Sequence, residues 1–164
     1  MERKETLYKY STRLDRTDKG NFVEMVREEA VAYPDDTKIT GPDEVWDLFK
    51  SMGVADLDIE QMWLLCLDTK NKINALFMVS QGSSNSTVAE PREVFKRAVI
   101  CNSTSIILAH NHPSGDCTPS EEDKIFTKRI IEAGKTIGVK VLDHIVVSPL
   151  YSCSLRRDHG EIFE

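Results

Sequence analysis

The chain has 164 residues, of which 40% are hydrophobic and 29% charged; this length and apolar content predict one compact domain and exclude a disordered or fibrous chain. The formal net charge of −6 comes without a run of basic residues, so nucleic acid is a poorly supported partner. No apolar run reaches the ~20 residues that cross a bilayer, and the charged N-terminal segment lacks the apolar core of a signal peptide, so we expect a cytoplasmic protein without membrane contact.

Two helices are predicted in the first part of the chain. Apolar residues recur at near-helical spacing over residues 21–33. A second helix is predicted from Pro42, in the first turn, to a terminating Gly53. We therefore expect a helical N-terminal segment at residues 1–54 and a compact domain at residues 55–164.

The remaining chain alternates between strands and helices. The predicted elements are hairpin strands at 62–68 and 72–79, a loop at 81–87, a helix at 91–98, a strand at 105–110, a helix at 119–137 and a strand at 139–147. Thr118 is the predicted N-cap of the second of these helices, with Pro119 at N1 and Glu121 at N3 of a capping box. Together the elements predict an α/β fold with a mixed β-sheet flanked by helices.

A metal site is predicted where the strand at 105–110 ends. His110 and His112 are separated by one residue, and alternate side chains of an extended chain face the same side. The loop that follows contains proline and glycine and can bring Asp123 back beside them. Two neutral imidazoles and one carboxylate are typical of catalytic zinc, with a fourth position left for water. Non-haem iron uses the same ligand types, so that alternative stays open.

The expected chemistry is hydrolysis, because a water ligand on such a site has its pKa lowered toward about 7. Ser120, at the start of the helix, is a candidate to donate a hydrogen bond to a developing oxyanion. His144 follows Asp143 on a predicted strand and has two interpretations, a residue that orients a metal ligand or an ordinary core histidine.

The cysteines show no pairing pattern. They are Cys66, Cys101, Cys117 and Cys153, with no CxxC spacing among them. This distribution predicts reduced thiols rather than a disulfide framework. Cys117 lies in the loop after the histidines, where a thiol can approach the metal, but we expect a bystander.

Two segments together resemble a known motif. HisAsnHisProSerGly at 110–115 and ProSerGluGluAsp at 119–123 resemble the JAMM motif of the JAB/MPN metalloprotease superfamily, in its bacterial RadC branch. Residues 91–98 and 142–147 are also similar to RadC segments. The resemblance implies a cytidine-deaminase-like α/β sandwich that holds zinc through the two histidines and the aspartate, with the serine supporting the oxyanion.

The same family uses a glutamate upstream of the histidines as general base. Glu60 lies just before the first buried strand in a similar context, so the resemblance assigns that role to Glu60. Glu93 is the alternative, which we interpret as a solvated or capping residue. RadC proteins also resemble a helix-hairpin-helix module joined to the JAB domain; residues 1–54 lack the Gly-rich hairpin of such a module, so we expect the DNA-binding half to be absent.

Three functions remain open. The first is a zinc-dependent peptidase or isopeptidase acting on an unknown peptide or protein. The second is a DNA-repair-associated, nucleic-acid-binding factor, and the third is a non-catalytic interaction scaffold. The hydrolase is favoured because every ligand is present, and the acidic balance opposes the second function. The sequence indicates neither the substrate nor the oligomeric state.

Overall fold

The computed structural model describes residues 4–34, 38–82 and 89–164. Its strands are β1 (Lys4–Thr17), β2 (Gly20–Pro34), β3 (Glu60–Leu67), β4 (Ile73–Gly82), β5 (Ser105–Asn111), β6 (Lys140–Val147) and β7 (Ser152–Ser154). Its α-helices are α1 (Pro42–Ser51), α2 (Pro91–Ile100), α3 (Glu121–Ile137) and α4 (Leu155–Asp158), with 3-10 turns at Val54–Asp56 and Gly160–Phe163. Among the described residues, no helix combines the length and apolar character needed to cross a bilayer.

The seven strands found in the described ranges belong to one mixed sheet. Their order is β2-β1-β4-β3-β5-β6-β7. The β1–β4 and β5–β6 pairs are parallel, and the other neighbours are antiparallel. Helices pack on both faces, so the α/β fold with a mixed, helix-flanked sheet is confirmed.

The central strands are buried on both faces. In β3, the neighbouring residues Leu64 and Leu65 are both inaccessible to solvent, and they belong to two different apolar clusters. The cluster with Leu64 includes Phe95 of α2 and Ile130 of α3, whereas the cluster with Leu65 includes Phe49 of α1. Because side chains alternate along a strand, each face of the sheet has its own core.

From β3 onward the predicted elements are confirmed, with ends shifted by at most three residues. The predicted helix from Pro42 is also confirmed as α1, and Gly53 follows it at φ 72°. Of the predicted loop at 81–87, residues 83–87 lie outside the described residues, whereas Gln81 and Gly82 are the last two residues of β4. The division of the chain near residue 54 stays a prediction.

The predicted helix at 21–33 is wrong. These residues lie in β2, which pairs with β1 from Lys4↔Pro34 to Thr17↔Gly20. The chain reverses at Gly20, whose φ of 136° favours glycine, and the Thr17 hydroxyl donates a hydrogen bond to the carbonyl of Gly20. Pairing across this turn supplies backbone partners over most of the segment, with one irregularity opposite Tyr8–Tyr10, and this outweighs its helix-like spacing of apolar residues.

The start of α3 lies two residues later than predicted. Ser120 is the N-cap, since its hydroxyl accepts from the backbone N–H of Asp123 while the Asp123 carboxylate accepts from the backbone N–H of Ser120. Thr118, the predicted cap, instead donates its hydroxyl hydrogen to the Asp116 carboxylate. The capping box therefore uses a metal-ligand candidate as its acidic member.

Gly134 marks a close approach between α3 and the start of β6. A Cβ at this position would lie 2.5 Å from the carbonyl oxygen of Val139 and 3.2 Å from the Phe95 ring. We expect Gly134→Ala to lower the free energy of unfolding by about 1–3 kcal/mol through overpacking, measured by urea denaturation. Gly160→Ala is the matched control, because a Cβ there meets nothing within 4 Å; equal losses in both variants would contradict this explanation.

Candidate metal centre

His110 and His112 lie at the carboxyl end of β5, on the sheet face covered by α3. Their Nε2 atoms are 2.9 Å apart. His110 is completely buried, whereas the His112 side chain retains partial exposure. The prediction that both imidazoles face the same side is confirmed, and β5 orients them because it is held between β3 and β6.

Asp123 reaches the two rings from the first turn of α3. Its Oδ1 lies 3.3 Å from His110 Nε2, and its Oδ2 lies 3.6 Å from His112 Nε2. Each of the three residues offers one possible ligand atom, and these three atoms all lie within 4.8 Å of one another. Two imidazole nitrogens and a carboxylate oxygen are a donor set suited to a transition metal ion.

The loop between His112 and α3 holds the outer nitrogen of His112. Its Nδ1 is 2.8 Å from the carbonyl oxygen of Asp116, and since a carbonyl can only accept, Nδ1 donates. The loop turns at Gly115, where φ is 83°. With a proton on Nδ1, His112 points Nε2 toward the cluster, where its lone pair would be available to a metal ion.

Ser120 contacts the Asp123 carboxylate rather than standing free. Its backbone N–H and its hydroxyl both donate to Oδ2, each at 2.7 Å. The hydroxyl also accepts from the backbone N–H of Asp123 at 3.1 Å. These contacts orient the carboxylate, and the role of Ser120 as an oxyanion donor stays a prediction.

His144 lies directly behind His110. Its Nε2 is 2.8 Å from His110 Nδ1, and its Nδ1 is 2.6 Å from the Thr127 hydroxyl. The Thr127 hydroxyl is also 2.6 Å from the carbonyl oxygen of Asp123. This contact favours the interpretation of His144 as a residue that orients a metal ligand. Thr127 was missed in the sequence, where its only signal is a position one helical turn after Asp123.

Burial and neighbouring charges act strongly on these groups. Burial lowers the pKa of His144 to about 3, and the His110 ring acts in the same direction. Burial works to raise the pKa of Asp123, but hydrogen bonds from His110 and His112 outweigh it and hold that pKa well below its usual range. Burial works to lower the pKa of His112, but Asp123 and the Asp116 carbonyl leave it raised overall.

The structure separates the two glutamates considered as general base. Glu60 begins β3, where the pairing of Met62 with His110 places it on the same sheet face as the histidines, and its charge helps to raise the pKa of His112. Glu93 is engaged on α2 by Lys96 at 2.7 Å and Arg97 at 3.0 Å. Those two cations, Lys96 most strongly, lower the pKa of Glu93.

The prediction of reduced thiols is wrong for two cysteines. Cys117, in the loop before α3, forms a disulfide with Cys153 of β7. The fold brings their Cα atoms to 5.6 Å, within the usual span of a disulfide. Their separation of 36 residues gave no sequence signal of this contact. Cys66 and Cys101 are free, as predicted.

Comparison with known proteins places this geometry in a family context. Residues 39–160 match the family model described as "RadC-like JAB domain". The chain is similar to a UPF0758 protein of Desulforamulus reducens, with 46% identity over 76% of this chain and 56% of the relative. It is also similar to a UPF0758 protein of Caldanaerobacter subterraneus, with 44% identity over 77% of this chain and 54% of the relative. A UPF0758 protein of Methanosarcina barkeri is 44% identical over 75% of this chain and 53% of the relative. The chain thus spans about half the length of these curated relatives.

The contact between His112 and Asp123 predicts a pH window of stability for the metal-free protein. The pKa of Asp123 is lower in the folded chain than in the unfolded one, so its contribution is present above about pH 4 and is lost as the pH falls. The pKa of His112 is higher in the folded chain, so its contribution is present below about pH 6.5 and is lost as the pH rises. We expect the largest stabilisation between these limits.

Thermal unfolding of wild type and Asp123→Asn, with a chelator present, tests this window from about pH 3 to about pH 9. The difference in melting temperature should peak between the two limits and shrink on either side. A difference that is constant with pH would contradict the expectation.

Proposed function

Because the chain belongs to the RadC-like JAB domain family, we propose that it is a zinc-dependent hydrolase of peptide or isopeptide bonds. The observation that carries the proposal is the convergence of His110, His112 and Asp123, whose ligand atoms lie within 4.8 Å of one another. The substrate is an unidentified peptide or protein.

The donor set fits zinc. Two neutral imidazoles and one carboxylate are the protein ligands of many catalytic zinc sites and leave a position for water. When bound, the ion supplies Lewis acidity, which lowers the pKa of water and polarises the carbonyl under attack. Iron(II) accepts the same donors, so metal analysis has to distinguish the two ions.

Glu60 is the residue we assign as general base. In the antiparallel pairing of β3 with β5, Met62 is opposite His110, so Glu60 comes level with His112 on the same face of the sheet. There its carboxylate takes up the proton of the attacking water and passes it to the leaving amine.

Asn111, between the two histidines, supports this position of Glu60. Its side-chain oxygen accepts from the backbone N–H of Gln61 at 2.8 Å, and its amide donates to the carbonyl of Ile59 at 3.1 Å. Asn111 is completely buried. The backbone on both sides of Glu60 is therefore tied to the segment that presents the histidines.

Ser120 is assigned to the oxyanion. It lies at the N-terminus of α3, where free backbone N–H groups and the helix dipole favour negative charge. In the resting arrangement its hydroxyl donates to Asp123. Redirecting that hydrogen to the substrate oxygen provides the stabilisation that the hydrolysis requires.

The two other functions stay untested predictions. The net charge of −6 opposes binding to nucleic acid. A complete set of three potential ligands opposes a purely structural scaffold. The relatives' name, UPF0758 protein, states no activity.

Metal analysis tests the centre itself. We expect purified protein to carry about one zinc ion per chain, as a single three-ligand site predicts, and His112→Ala to lose it while keeping its circular dichroism spectrum. His159→Ala is the control, because His159 lies outside the ligand cluster. A folded wild-type chain that takes up neither zinc nor iron would contradict the proposal.

Glu60→Gln tests the general base. We expect this variant to retain its zinc while its rate of hydrolysis of a fluorogenic peptide or lysine isopeptide falls by about 10²–10⁴-fold. Glu93→Gln should keep the wild-type rate, because the carboxylate that it removes is bound to Lys96 and Arg97. The opposite ranking of the two variants would assign the base to Glu93.

A further inference from the structure

We infer that Thr127 and His144 are positioning residues that direct a chain of hydrogen bonds so that Nε2 of His110 keeps its lone pair for the metal. The inference rests on the proposed function in one respect, since it requires a metal ion at the cluster of His110, His112 and Asp123. It adds two residues and a fixed direction of proton donation to that site.

The direction is set at the carbonyl oxygen of Asp123. A carbonyl can only accept, and the Thr127 hydroxyl lies 2.6 Å from it, so the one hydroxyl hydrogen of Thr127 points there. If that hydrogen pointed to His144, two oxygens would face each other at this distance with no hydrogen between them. The Thr127 oxygen is therefore left to accept from His144 Nδ1, at 2.6 Å.

The histidine tautomers follow from this step. His144 is completely buried, which favours a neutral ring with a single proton. That proton is on Nδ1, so Nε2 of His144 is bare and accepts from His110 Nδ1 at 2.8 Å. With its own proton on Nδ1, His110 keeps the lone pair of Nε2 for a bound metal ion; this atom lies 2.9 Å from His112 Nε2 and 3.3 Å from Asp123 Oδ1.

This chain of hydrogen bonds joins two of the three proposed metal ligands. It begins at the ring of His110 and ends at the backbone of Asp123, and the two residues between them, Thr127 and His144, are completely inaccessible to solvent. A buried donor or acceptor without a partner costs about 1–3 kcal/mol. Moving the proton of either imidazole to its other nitrogen would leave a buried donor or acceptor without a partner, so the network holds one arrangement.

A carboxylate takes no part in this chain, although Asp143 is adjacent to His144 in sequence. The Asp143 side chain accepts from the Ser154 hydroxyl at 2.6 Å and from the backbone N–H of Arg156 at 3.0 Å. Asp143 therefore connects β6 to the segment that begins α4. His110 is instead oriented by the imidazole of His144, which in turn is held by Thr127.

Zinc affinity, measured by competition with a chromophoric chelator, tests the inference on the full chain. We expect Thr127→Val to weaken zinc binding about 10–100-fold, as loss of the partners behind a metal-bound histidine typically does, and Thr127→Ser to restore it by returning the hydroxyl. Thr136→Val is the matched control: its hydroxyl also donates to the carbonyl four residues earlier in α3, that of Glu132, but it is exposed and remote from the rings. Unfolding of each metal-free variant is measured in parallel.

Ring ¹⁵N shifts of the zinc-loaded wild-type protein give a second measurement that needs no variant. We expect Nδ1 to carry the proton in both His110 and His144. A proton on Nε2 of His144, or wild-type zinc affinity in a folded Thr127→Val, would overturn the inference while leaving the proposed function intact. Absence of zinc binding by the wild-type chain would overturn both.

Discussion

The site depends on one contact, that of the Asp123 carboxylate with the rings of His110 and His112. The two histidines come from the end of β5, whereas Asp123 comes from the first turn of α3. Ser120 fixes the carboxylate through two hydrogen bonds to Oδ2. A shift of α3 relative to β5 would therefore move the Asp123 carboxylate away from both rings, whereas its contacts with Ser120, which lie within the start of the same helix, would be kept.

The rest of the fold limits such a shift. β5 is buried over its whole length and pairs with β3 on one side and β6 on the other. α3 packs on the same sheet face through Ile130 and approaches β6 closely at Gly134. Each strand next to β5 also supplies one residue to the site: Glu60 begins β3, and His144 lies on β6. The candidate metal centre is thus built from three central strands and one helix that also contribute side chains to the core.

The sequence allowed prediction of the features that depend on local spacing. The one-residue separation of His110 and His112 determines which side of a strand both rings face, and residues near the start of α3 had to lie close to that strand end. Thr127 and the Cys117–Cys153 bond were not predictable in this way, because each depends on which distant elements become neighbours. The β1–β2 hairpin was missed for the same reason: pairing across the turn at Gly20 decides its structure, not the periodicity of residues 21–33.

The disulfide has a consequence for the unfolded chain. It closes a covalent ring from Cys117 to Cys153, and this ring encloses Asp123, Thr127 and His144, with His112 only five residues outside it. Closing a ring of this size removes conformational entropy from the denatured ensemble, an effect of about 4 kcal/mol in the chain-entropy treatment. Even after the sheet has come apart, these groups stay confined to a small volume, and an oxidised chain starts its return to the native state with part of the site already gathered.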